Sequence, residues 1–157
     1  NMTVKGNVMI GAMFGREGSH TMQEINKEAE KWLDFVNLRD KKDIPIQSVN
    51  IVERKRTDLA KALAASPKLL FIDELMAGLN TKDIEELMDL IKKINQLGVT
   101  ILFIEHVMKA VMGISHRVMV LHHGEKIIDS FAPLVIRGKK LLQAYLGKRR
   151  TKRKEKT

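Results

Sequence analysis

The sequence predicts an α/β fold in which a helical N-terminal region precedes a parallel sheet, and three observations carry that expectation. Two short apolar runs, KLLFID at residues 68–73 and VTILFIEH at 99–106, each end abruptly in polar residues, as strands buried on both faces do where they leave a core. Between them lies a helical pattern, the arrangement of a parallel strand, crossover helix and strand. Residues 1–65, by contrast, hold helical patterns and no comparable run.

Taken in order, VKGNVMIGAMF at 4–14 spaces its apolar residues loosely as a helix, and GREGSH after it reads as a linker. Thr21 and Glu24 form a capping box, hydroxyl and carboxylate satisfying orphan amides of a helix that runs through Trp32, Phe35 and Val36. Pro45 breaks the next stretch. A helix from about Glu53 to Ala65 presents Leu59, Ala62 and Leu63 on one face, and Pro67 ends it. After the strand at 68–73, Thr81 caps a helix whose Ile84, Leu87, Met88, Ile91 and Ile94 recur at i, i+3, i+4 and i+7, and Gly98 closes it. A strand at 99–106, a short helix at 107–114, a strand, turn and strand over RVMVLHHGEKIID, and an amphipathic helix at 132–146 complete the series. His122 and His123 are turn residues in this reading, and the methionines at 2, 9, 13 and 22 fill gaps in a core or interface.

Composition narrows the function classes. The 157 residues are 44% hydrophobic and 30% charged, which suits one globular domain with a real core. With no cysteine there is no disulfide framework, thiolate metal site or thiol nucleophile. No apolar run has the roughly 18 residues of a membrane-spanning helix. The net charge of +9 is uneven: KRRTKRKEKT at 148–157 supplies +6 of it. That run has no aromatic residues to stack on bases and reads as a disordered basic tail, so no nucleic-acid partner is expected. The composition shift near residue 66 divides the chain into a helical part, 1–66, an α/β part, 67–147, and the tail.

Open parallel sheets bind ligands beyond the carboxyl ends of their strands, where Asp73, Glu74, Glu105 and His106 all fall. One carboxylate there can hold Mg²⁺ while its neighbour orients and deprotonates a water, the division of labour that nucleoside triphosphate hydrolysis requires. A strand end meeting solvent would explain Asp73 and Glu74 equally well. The ordered set of neighbours is more specific: VNIVERKRTDLAKALAASP upstream, AGLN at 77–80, and IEH at the end of the next strand.

With these motifs the sequence resembles the ATP-binding subunits of ABC transporters, within them the group serving branched-chain amino acid importers, over nearly all of residues 3–147. The resemblance implies the C-terminal part of a P-loop NTPase-like ABC ATPase core, an incomplete parallel sheet, with an N-terminal helical subdomain. It implies that LLFIDE is the Walker B strand, with Asp73 on the Mg²⁺ side and Glu74 as general base, that AGLN with Asn80 is the D-loop, and that His106 is the switch histidine contacting the γ-phosphate of ATP. SVNIVERKR at 48–56 stands at the signature position, where Ser48, Asn50 and Arg54 would face ATP held by a second ATP-binding subunit. Partners are then that subunit and the permease subunits, with the chain peripheral to the membrane on its cytoplasmic face.

Two departures qualify the resemblance. The family's signature has a serine and glycines where this chain has Asn50, Val52 and Glu53; Val52 obstructs close backbone approach, and Glu53 adds a charge that repels phosphate. Nothing among the 157 residues matches G-x-x-x-x-G-K-[ST]. The family's phosphate loop and Q-loop glutamine precede the matched region, as does a strand lying between the one ending at His106 and the one containing Val118 to Leu121. The chain is therefore expected to be N-terminally truncated, without ATP hydrolysis of its own, and with exposed apolar edges. The alternative is a noncatalytic module that binds transporter or nucleic acid through its helical region or tail.

Overall fold

The computed structural model describes residues 2–15, 18 and 20–137. The basic tail and the end of the helix expected at 132–146 lie outside them. Its chain forms two compact units, residues 1–106 and 107–157, and the boundary expected near residue 66 falls inside the first.

The first unit begins with three helices, α1 (Val4–Phe14), α2 (Met22–Phe35) and α3 (Ile51–Ala64), which contact one another pairwise. Thr3 caps α1 by accepting the Gly6 amide, and Thr21 with Glu24 closes the expected capping box on α2. Val4, Val8 and Ala12 of α1 are fully buried. Helices α1 and α3 approach closely because Gly11 and Gly15 carry no side chain: a Cβ at Gly11 would overlap the Lys61 carbonyl, and one at Gly15 would overlap the Ala65 Cβ. Lys5 of α1 and Lys42 both donate to Glu30 of α2, at 2.9 and 3.2 Å, which holds the Glu30 carboxyl below its ordinary pKa. Pro45 interrupts the chain between two short 3₁₀ turns, Arg39–Lys41 and Ile46–Ser48, and pairs with Thr3 in an isolated bridge. Of the methionines expected to fill gaps in a core or interface, Met2, Met13 and Met22 are exposed and so lie outside the core.

Strands β1 (Leu69–Asp73) and β2 (Thr100–Ile104) pair in parallel, Leu69 opposite Thr100 and Asp73 opposite Ile104. Between them runs α4 (Thr81–Gln96), which buries Leu87, Met88, Leu90, Ile91 and Ile94 and leaves Ile84 half-buried. Asn80, not Thr81, is its N-cap: the Asn80 Oδ1 accepts the Asp83 amide at 3.0 Å, and the amide side chain outranks threonine in this role. The expectation that both sheet faces are covered is not met. Leu70 and Ile72 are buried, but Leu69, Phe71, Leu102 and Ile104 are 47%, 67%, 50% and 54% exposed. The register brings these four onto one face. Apolar runs signal capacity for burial on both sides, yet the described residues put packing partners on only one.

In the second unit, α5 (Met108–Ile114) precedes an antiparallel hairpin of β3 (Arg117–His122) and β4 (Glu125–Phe131), followed by α6 (Ala132–Arg137). This is the strand, turn and strand expected over RVMVLHHGEKIID. His123 and Gly124 form the turn, both at positive φ, the pattern of a type I′ turn. Val118 and Ala132 centre a small core with Val111, Met112, Val120 and Ile128. Asp129 accepts from Arg117 at 2.7 Å and Lys126 at 3.0 Å, which lowers its pKa.

Candidate functional site

Strand β1 leaves the sheet at Asp73, and the next residue turns sharply. Glu74 adopts φ 46°, a left-handed conformation that costs a non-glycine residue roughly 1–2 kcal/mol. Its amide still donates to the Ile104 carbonyl of β2 at 2.9 Å, so the turn begins on the sheet's own hydrogen-bond ladder. The break lets Asp73 and Glu74, consecutive in sequence, depart from strict strand alternation. Both are exposed.

His106 follows the end of β2 and brings its Nδ1 to 3.7 Å from the Glu74 Oε1. The structure therefore joins the acid of one strand end to the imidazole of the next. The side chains of His106 and Glu74 are 68% and 62% exposed, so the pair contributes little to stability and either partner can turn toward a ligand at small cost. The Asp73 carboxylate makes no ion pair or hydrogen bond with a described residue. These hard oxygen donors suit Mg²⁺, which binds through one or two carboxylates together with a substrate's phosphates. Among the described residues no group of three or more His, Asp or Glu could hold a metal alone.

Glu105 supports this rim, a role that sequence reasoning did not assign. Its Oε1 accepts the Met76 amide at 2.8 Å and its Oε2 the His106 amide at 3.1 Å. One carboxylate thus ties the turn after Glu74 to the segment carrying His106, while buried Met76 anchors the turn beneath. The available signal was an acid directly before the histidine at a strand end.

The signature-like residues lie elsewhere in the same unit. Asn50 is the N-cap of α3 and forms a capping box with Glu53: Asn50 Oδ1 accepts the Glu53 amide at 2.9 Å, and Glu53 Oε2 accepts the Asn50 amide at 3.0 Å. The helix accordingly starts at Ile51, two residues before the expected Glu53. Lys41 pairs with the other Glu53 oxygen. This pairing pulls the Glu53 carboxyl below its ordinary pKa, against burial, and raises that of Lys41. The Glu53 charge is therefore balanced locally. Arg54 donates to the Val49 and Gln47 carbonyls at 3.2 and 2.8 Å, bracing the loop that carries exposed Ser48. Ile51 brings this helix start to the AGLN turn, where a Cβ at Gly78 would lie 3.7 Å from the Ile51 Cδ1. Asn80 spends its side chain on the α4 cap, its Nδ2 also donating to Asp83. The structure thus forms two groups, Asp73, Glu74 and His106 at the strand ends, and residues 48–54 beside 77–80.

Comparison with known proteins bears on the fold. The fold is that of an ABC ATPase domain: CbiO1 of Clostridium perfringens, part of the ABC transporter complex CbiONQ, superposes with a TM-score of 0.78 over 99% of this chain and 62% of its own, at 25% identity. The ATP-binding cassette MJ0796, in a dimeric post-hydrolysis state bound to ADP and Pi, superposes at 0.74 over 83% of this chain and 57% of its own, at 24% identity. The chain is a homologue of the ATP-binding proteins of branched-chain amino acid ABC transporters. The high-affinity branched-chain amino acid transport ATP-binding protein LivG of Escherichia coli K12 is 33% identical over 145 residues, 92% of this chain and 57% of LivG. The chain thus spans little more than half the length of this relative. No family model matches it.

Proposed function

We propose that the chain supplies the strand-end half of the ATP-hydrolysing centre of an ABC importer's ATP-binding subunit, with branched-chain amino acids as the transported class. The observation that carries this reading is the approach of His106 to Glu74 at 3.7 Å, at the ends of two paired parallel strands. Asp73 is the residue that would hold Mg²⁺. Bound Mg²⁺ would neutralise phosphate charge and orient the triphosphate. Glu74, in the left-handed turn that follows Asp73, accepts the proton of the attacking water, and His106 donates toward the γ-phosphate. Glu105 keeps the two segments in register.

Residues 48–54 are the trans element, offered to ATP held by a second subunit. Asn50 uses its Oδ1 on the cap and keeps its Nδ2 for such a contact, while Lys41 offsets the Glu53 charge that would otherwise repel phosphate. Permease subunits complete the assembly, which places the chain at the membrane periphery on the cytoplasmic face. No helix of the described residues is long and apolar enough to cross a membrane.

Catalysis also needs a cradle for the β and γ phosphates, and these 157 residues hold no phosphate-loop motif. Asp73 and Glu74 alone would face a polyanion without a counter-charge, so the 157 residues by themselves do not turn over ATP. The test compares this chain with a fusion that joins it to the part of LivG outside the match, where the family resemblance implies the phosphate loop. Magnesium-dependent turnover is expected in the fusion alone and is abolished there by Glu74→Gln. Turnover by the unfused chain, or a fusion indifferent to Glu74→Gln, would refute the proposal.

A further inference from the structure

The acids beyond the ends of β1 and β2 are not engaged alike. Asp73 and Glu74 are exposed, whereas Glu105, the first residue past β2, is half-buried and holds a backbone N–H with each of its oxygens: Met76 with Oε1 and His106 with Oε2. A carboxylate occupied in this way is poorly placed to take a proton from water. It is well placed to fix backbone, because both bonds are charge-assisted.

The two amides belong to the two segments that meet at the rim. Past Ile104 the chain has left β2, so the sheet no longer directs the residues that carry the imidazole. On the other side, Met76 is buried and its turn is closed by the Ala77 amide, which donates to the Glu74 carbonyl at 3.2 Å. The contacts therefore run in a ring, from Glu74 through its turn to Met76, Glu105 and His106, and back to Glu74. The closing contact, between the largely exposed Glu74 and His106 side chains at 3.7 Å, is its weak member.

We infer that Glu105 is a positioning residue for His106: by accepting both amides at once, its carboxylate aims the imidazole at Glu74. The inference rests on the reading of Glu74 and His106 as the hydrolytic pair, and it adds a requirement for two acceptors at position 105. Glutamine there has nearly the same shape but one acceptor, and its NH₂ would face a backbone N–H, donor against donor. One of the two tethers is then lost. Because a misplacement of about 1 Å can cost roughly hundredfold in rate, losing one tether should lower turnover by roughly tenfold or more.

The first test needs no ATP. In the 157-residue chain, Glu74→Gln should shift the NMR signals of the His106 ring, and in a Glu105→Gln background that response should fall to about half or less, the mark of two residues coupled through a third. Glu105→Ala, which leaves the amides to water and sets no donor against a donor, is the second variant should the glutamine form fail to fold, and it should diminish the response likewise. An undiminished response in a folded variant would overturn the assignment. The second test uses the LivG fusion, where Glu105→Gln should lower kcat by roughly tenfold or more with the KM for ATP within about twofold of the parent. An unchanged kcat, or a loss confined to KM, would also overturn it. A fusion without any turnover would refute the proposed function instead, and the His106 response would still decide the role of Glu105.

Discussion

Replacing Gly11 with alanine tests whether close backbone packing of α1 on α3 builds the helical part of the first unit. In an isolated helix the change is favourable, since alanine exceeds glycine by about 1 kcal/mol in helix propensity. Here the new Cβ would overlap the Lys61 carbonyl oxygen and lie 2.9 Å from its carbonyl carbon. The Lys61 backbone, in the last turn of α3, cannot swing aside as the end of a flexible side chain does, so α1 must move off α3 and loosen its buried Val4, Val8 and Ala12. Overpacking of this kind costs about 1–3 kcal/mol, the rigid neighbour placing it at the upper end, so a net loss of about 2 kcal/mol remains after the propensity gain. Gly6 on the same helix is the control. A Cβ there meets the Met2 Cγ at 2.7 Å, the flexible end of an exposed side chain, so Gly6→Ala should stay within about 0.5 kcal/mol of the parent or exceed it. Urea unfolding followed by far-UV circular dichroism measures both. Equal stability of the two variants would refute the argument.

Three further outcomes are expected. Glu53 has its pKa lowered in the folded state, so its stabilisation is present above the ordinary value of 4.5 and is lost as pH falls through the folded value; Glu53→Gln should flatten the acid limb of a stability-versus-pH curve. Asn50→Ala removes the α3 cap and should cost about 1 kcal/mol, read from the same unfolding curves, whereas Asn50→Ser should retain most of it. On β1, Leu70→Ala should destabilise by about 2–4 kcal/mol, while Phe71→Ser, on the uncovered face, should change stability little but reduce self-association measured by sedimentation.

Much of the first unit was legible because its signals are local. A capping box needs only Thr21 and Glu24, and the recurrence that buries Leu87, Ile91 and Ile94 lies within one helix. The strand end at Asp73 was readable from abrupt loss of apolar character, whereas β2 stops at Ile104, two residues before the expected His106. The cap of α4 was misassigned by one residue because adjacent Asn80 and Thr81 can both perform that role, and only backbone dihedrals separate them. Glu105 went without a role because its partner, the Met76 amide, is 29 residues distant.

By itself the sequence determined which residue types stand at the ends of β1 and β2, since periodicity and run length dictate where a strand must stop. It also determined the absence of a phosphate-loop motif from these 157 residues. Only the tertiary structure decided that Glu74 and His106 meet, that Lys41 neutralises Glu53, and that one face of β1 and β2 is left open. Such outcomes depend on register, on contacts between distant segments and on which faces find partners, and apolarity records a capacity for burial without naming what does the burying.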